Sequence, residues 1–186
     1  MKRNIGPQLA LYPVPLAVIG AMHGDKPTWT LVAHMGILGH DRVLVSLADH
    51  HFINGAIKAA GQLSINLVDQ ALLPQAERAG AVSGAKVDKS AFFPYQLGEE
   101  GAPILTTAPL TMVCAVEDRY PTPGFENFIC TIRRTYVEED CLTGEGKVDY
   151  RALKPVLFEF PTYEYVAAGD VLGKCLSFLP REQANP

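Results

Sequence analysis

The chain has 186 residues, a net charge of −4, and 19% charged against 48% hydrophobic residues. That length predicts one domain with a sizeable core. The absence of any basic run removes the electrostatic footprint of a nucleic-acid binder, and no segment reaches the roughly 18 apolar residues of a membrane span. A mean hydropathy of +0.08 is apolar for such a domain and points to a large core or to an apolar face covered by a partner chain.

The N-terminus is basic and then apolar, but Pro7, Pro13 and Pro15 break it, and Leu16–Ala21 is too short and too β-prone for the core of a signal peptide. Leu16–Met22 reads as a strand, His23 to Pro27 as a turn, and Thr28–Ala33 as the hairpin partner. Met35–Asp41 reads as irregular. Arg42–Leu47 is a strand, followed by a polar bend (Ala48, Asp49, His50, His51), a helix over Phe52–Ala60 that turns at Gly61, and a strand Leu63–Leu67. Such a bend between strand end and helix start leaves backbone N–H groups free to hold an anion.

Asp69 is a candidate N-cap for a helix near Ala71–Ala79 with Pro74 in its first turn. Ala81–Val87 is a loop between Gly80 and Asp88, and Asp88 caps a short turn through Phe92. Leu97–Ile104 is a loop or short strand. Leu110–Glu117 and Asn127–Glu138 read as long strands around a Pro/Gly loop. The second has Phe128, Cys130, Ile132 and Tyr136 at period two. Tyr150–Lys154 is a short helix, Leu157–Phe160 a short strand, and the tail from Pro180 a mobile end. Short strands broken by turns, with few helices, describe a mainly β domain, an antiparallel barrel or sandwich with helical insertions. The four cysteines, Cys114, Cys130, Cys141 and Cys175, form no metal spacing and read as reduced cytosolic thiols.

Several motifs in this order resemble the flavoredoxin and flavin reductase family of FMN-binding split barrels. They are Tyr12-Pro13-Val14-Pro15 leading into a strand; Lys26-Pro27 followed by Thr28 to Gly36; Val45-Ser46-Leu47 with Gly55 and Ile57; Ser64-Ile65-Asn66-Leu67; Ser83-Gly84-Ala85-Lys86-Val87-Asp88-Lys89; and Leu172-Gly173-Lys174 near the end. The resemblance implies a Greek-key antiparallel barrel. It also implies a homodimer holding one FMN near each subunit interface, and hydride transfer from NAD(P)H to flavin or electron transfer to a redox partner protein.

An FMN phosphate needs donors. Ser83, the N–H groups of Gly84, Ala85 and Lys86, and the cations Lys86 and Lys89 are candidates, with the bend after Ser46 and Leu47 adding more. The flavin ring needs an apolar slot with donors along one edge, for which Thr30, Leu31, Val32, Ala33 and His34 are candidates, and Asn66 ends a neighbouring strand. The cofactor itself performs hydride transfer, so no catalytic side chain is predicted. The family's common Arg after Ser-Leu and its Thr further into the bend are Ala48 and Ile53 here, leaving His51 as the candidate replacement donor.

The structural readings of the same residues stand beside these. His50 and His51 are bend residues whose side chains diverge, and no metal is predicted. Asn66 suits turn capping. The lysines suit a solvated surface, the cysteines suit packing, and Tyr163 and Tyr165 suit packing more than chemistry. Three readings remain open: an NAD(P)H-dependent flavin reductase, a non-catalytic FMN electron carrier, and a flavin-free dimer of the same fold.

Overall fold

A computed structural model describes residues 1–178; the expected mobile tail from Pro180 lies outside the described residues. Among the described residues, twelve strands and three α-helices follow in the order β1 Val14–Pro15, β2 Ala17–His23, β3 Lys26–Val32, β4 Met35–Ile37, β5 Arg42–Ala48, α1 Ile53–Ala60, β6 Gln62–Leu67, α2 Leu73–Ala81, β7 Tyr95–Leu97, β8 Pro103–Leu105, β9 Leu110–Arg119, β10 Phe125–Val137, α3 Tyr150–Leu153, β11 Val156–Glu159 and β12 Glu164–Ala167.

Seven of these strands form one antiparallel sheet in the order β3-β2-β6-β9-β10-β5-β4. Its two edge strands are consecutive in sequence, with only Ala33 and His34 between them. A flat sheet of seven strands is about 29 Å wide at the usual spacing, whereas a two-residue link spans only about 10 Å. The sheet must therefore curl until its edges meet, and the fold is the expected antiparallel split barrel. A hydrogen bond from Ser46 N–H to the His34 carbonyl, 2.9 Å, pins the link.

Strand β2 shows why its sequence is apolar without alternation. Ala17, Ile19 and Ala21 join an inner cluster fed by β5, β6, β9, β10 and the buried face of α1 (Ile53, Ala56, Ile57). Leu16 and Val18 join an outer cluster under α2, with Trp29, Leu72, Ala76 and Ala79. A strand buried on both faces needs no polar positions. The Trp29 ring lies so close over Gly20 that a Cβ there would come within 2.3 Å of it.

Several expectations change. The segment read as irregular after Met35 contains β4, an edge strand held only by β5 through pairs such as Met35 with Val45. The stretch Leu97–Ile104 is the inner part of a hairpin, β7 and β8. Strand β12, absent from the sequence reading, pairs with β11, which also pairs with β1. In β10, register shifts occur between Ile129 and Cys130 and between Ile132 and Arg134. Such an irregularity displaces the alternation, so Phe128, Cys130 and Ile132 pack on the inner cluster with Val137. Tyr136 instead leaves their face and packs on a small cluster with Ala102, Ile104 and Val113. Burial pushes the thiols of Cys114 and Cys130 up to about 12, so they are packing groups.

Candidate functional site

Where the sheet closes, a cavity of about 420 Å³ opens between the β3–β4 link, the end of β5, the C-terminal turn of α2 and the β11–β12 hairpin. Of the expected ring-side residues, Leu31, Val32, Ala33 and His34 line it, and Thr30 borders the neighbouring pocket instead; Ser46, Leu47, Ala48 and His51, expected on the phosphate side, line this cavity too. Because β3 is an edge strand, alternate N–H groups along it have no strand partner.

Aromatic residues from distant segments make the rest of the wall. His34 Nε2 lies 2.8 Å from the Tyr12 hydroxyl. Its ring stacks on Phe160 at 5.3 Å and meets the edge of Phe125 at 5.8 Å. Burial lowers the His34 pKa, so its neutral form is favoured. Tyr165 reaches across to Glu77 on α2, with its hydroxyl donating at 3.2 Å, and burial followed by the Glu77 charge raises its pKa. Sequence reading did not identify Phe125, Phe158, Phe160 or Glu77 as lining residues. The exposed aromatic run around Phe160 was the available signal.

A second cavity of about 160 Å³ adjoins the first, sharing His51, Gly80 and Ala81 with it, and is more polar. Thr30, Ser83, Gly84, Lys89 and His50 border it. Lys89 is 4% exposed. Its ammonium donates to the carbonyls of Trp29, 2.8 Å, and Ala79, 2.7 Å. The second of these sits in the last turn of α2, where unpaired carbonyls and the helix dipole favour a cation. No carboxylate among the described residues pairs with Lys89, and burial lowers its pKa.

His51 belongs to both cavities. Its pKa is lowered by burial first, then by His50 and Lys89. The bend that carries it is held by Asn54, whose side-chain amide donates to the carbonyls of Ala48, 2.8 Å, and Asp49, 3.2 Å. The sequence reading did not single out Asn54. Helix α1 begins at this bend without a side-chain cap.

Other expected site residues lie elsewhere. Asn66 is fully buried and away from both cavities. It donates to Val18 O, 2.9 Å, and Ser64 Oγ, 3.0 Å, and accepts from Leu105 N–H, 3.0 Å, and Thr111 Oγ1, 2.8 Å. Its task is to join strands inside the sheet. Ala85 and Lys86 are exposed and line neither cavity, and their N–H groups turn back to Ser83. Gly84 packs against Phe52 and Thr28 so closely that a Cβ would come within 2.7 Å of the ring. Ile53 is buried in the inner cluster while bordering the polar cavity.

The sequence model of the flavin reductase like domain matches residues 9–165. The chain belongs to that family. It is similar in structure to flavoredoxin from Methanosarcina acetivorans, at TM-score 0.90 and 27% identity, covering 96% of this chain and 97% of that one. It is likewise similar to flavoredoxin of Desulfovibrio vulgaris (Miyazaki F), at TM-score 0.88 and 28% identity, covering 96% and 99%. An FMN-binding protein from Thermus thermophilus, 21% identical with TM-score 0.78 over 94% of this chain and 99% of that one, shares the fold. No curated protein matches the sequence. Among the described residues no helix is long and apolar enough to cross a membrane.

Proposed function

We propose that the chain binds FMN and acts as an NAD(P)H-dependent flavin reductase. The observation that carries this reading is the two-part cleft. An apolar, aromatic-walled cavity of a size usual for cofactors runs into a polar pocket around a buried lysine that lacks a carboxylate partner. A tricyclic ring with a phosphorylated side chain asks for that pairing, and the similarity to two flavoredoxins supports it.

The ring would lie against Leu31 to His34, with unpaired β3 amides along its edge. The phosphate would lie toward Lys89, Ser83 and His51. Bound flavin supplies the hydride and electron chemistry. The chain's own residues orient the ring, exclude water with the Phe125, Phe158 and Phe160 wall, and neutralise the phosphate. Exposed apolar residues on the N-terminal arm and beyond β12, such as Leu11 (80%) and Leu172 (90%), suit burial against a second copy, and free cysteines suit a reducing cytoplasm.

Visible absorbance after addition of FMN tests the binding. A flavin spectrum retained through gel filtration is expected, and a protein that stays colourless overturns the reading in favour of a flavin-free dimer. A second reading, an FMN carrier serving a redox partner, is favoured by the exposed aromatic rim at Phe160 and Tyr163 beside the cleft. NADH or NADPH oxidation with excess FMN separates the two. Turnover supports the reductase, and its absence in a flavin-loaded protein supports the carrier.

A further inference from the structure

The polar pocket holds one buried cation and, beside it, an imidazole whose two nitrogens differ. His51 Nδ1 is buried without a hydrogen-bond partner, whereas Nε2 makes no hydrogen bond among the described residues, and the residue lines both cavities. Lys89 commits two of its three ammonium protons to the Trp29 and Ala79 carbonyls. Resting on the flavin reading above, we propose that the pocket recognises a phosphate monoester by proton uptake: as the dianion seats against Lys89, His51 gains a proton through Nε2 and becomes the second cation.

The charges around His51 are consistent with such a switch. On its own bend, His50 is the near neighbour, and Asp49 is turned to His50, 3.6 Å from its Nδ1. From the loop after α2 comes Lys89, and that loop's Asp88 is paired away with Lys26 at 2.8 Å. From α2 comes Glu77, facing the other cavity and bonded to Tyr165. Burial first, and then the neighbouring His50 and Lys89, keep the His51 imidazole neutral in the free pocket. A bound dianion reverses that local field and raises the imidazole pKa. The proton passes from solvent to His51 and no bond is broken.

Linkage then sets the sign. Between the lowered value in the free protein and the raised value in the complex, the complex binds more protons, so affinity for a phosphorylated ligand rises as pH falls. The gain fades below about pH 6, where the phosphate takes its own second proton. Riboflavin, which offers the same ring without the phosphate, lacks the effect.

The test is titration of the full chain with FMN and with riboflavin, read by flavin fluorescence, from pH 8.5 to 6.5. Calorimetry at pH 7 in two buffers of different ionisation enthalpy accompanies it. FMN affinity is expected to tighten by up to about tenfold per pH unit at the steepest point, the limit for one proton. Net proton uptake is expected for FMN and none for riboflavin. In His51→Asn, both flavins should bind without pH dependence. Equal pH profiles for FMN and riboflavin, or proton uptake that persists in His51→Asn, overturns the proposal while leaving flavin binding intact. Failure of the unmodified chain to bind either flavin removes the flavin reading and this proposal with it. The calorimetric uptake is measured on the unmodified chain and does not depend on the variant folding.

Discussion

Two buried polar clusters sit in this molecule, and they differ in completeness. Around Asn66, donors and acceptors are matched: both ends of its amide are bonded, and Ser64 Oγ donates to Pro103 O. Around Lys89 and His51, one ammonium proton is uncommitted, the ring Nδ1 lacks a partner, and the positive charge has no counter-ion among the described residues. Both clusters are made of residues that look equally functional in a sequence. A polar cluster closed on itself fixes strand register, and one left open invites a ligand, because a buried polar group without a partner is costly.

Removing the closed cluster is expected to have the largest effect. Asn66→Ala leaves the Leu105 N–H, the Thr111 hydroxyl and the Val18 carbonyl short of a partner, at a cost of about 3 kcal/mol or more. Urea unfolding measures this, with flavin affinity of the folded protein unchanged. A stable variant that lost flavin would break the comparison. Lys89→Met attacks the open cluster. It should weaken FMN about thirtyfold, the scale of one charge-assisted hydrogen bond, with a much smaller effect on riboflavin. Equal loss for both flavins would assign Lys89 to the fold alone.

Gly20→Ala sharpens the comparison from outside. The new Cβ would lie 2.3 Å from the Trp29 ring and 2.7 Å from Ser64 Oγ. It should cost about 1–3 kcal/mol by overpacking, read as a lower urea midpoint, without altering the FMN-to-riboflavin preference. The smallest effect is on acid stability. His34 and His51 hold their pKa values below the ordinary imidazole value through burial, so the unfolded chain binds protons that the folded flavin-free chain refuses. Stability is therefore full above about pH 6.5 and falls as pH drops through the window below it. Thermal melts at pH 7 and pH 5 check it, and the paired variant His34→Gln/His51→Asn should flatten the difference.

The order of elements was legible because its signals are local. Short β-prone runs between turns marked β5, β6 and β9, Gly61 ended α1 in a left-handed turn, and Asp69, expected as the cap, accepts from Leu72 N–H at 2.8 Å in the turn leading into α2, whose own N-cap is Leu72. The motifs from Tyr12 to Lys89 placed one side of the cleft. The other side was hidden, because Phe125, Phe158, Phe160 and Tyr165 lie far along the chain and read as ordinary packing residues. Asn66 and Lys89 illustrate the limit. Each is a polar residue in a family-like motif, and only their partners assign one to the core and the other to the cleft wall.

By itself, the sequence determined a mainly β chain of this family, with a bend after β5 suited to an anion, because those properties depend on neighbours in the chain. Tertiary structure alone decided that β3 and β4, two residues apart, occupy opposite sheet edges and force closure. It also decided that irregular pairing in β10 sends Tyr136 away from Phe128, and that Lys89 reaches the end of α2. These depend on strand pairing between distant segments, where one shift in register changes which face every later side chain meets.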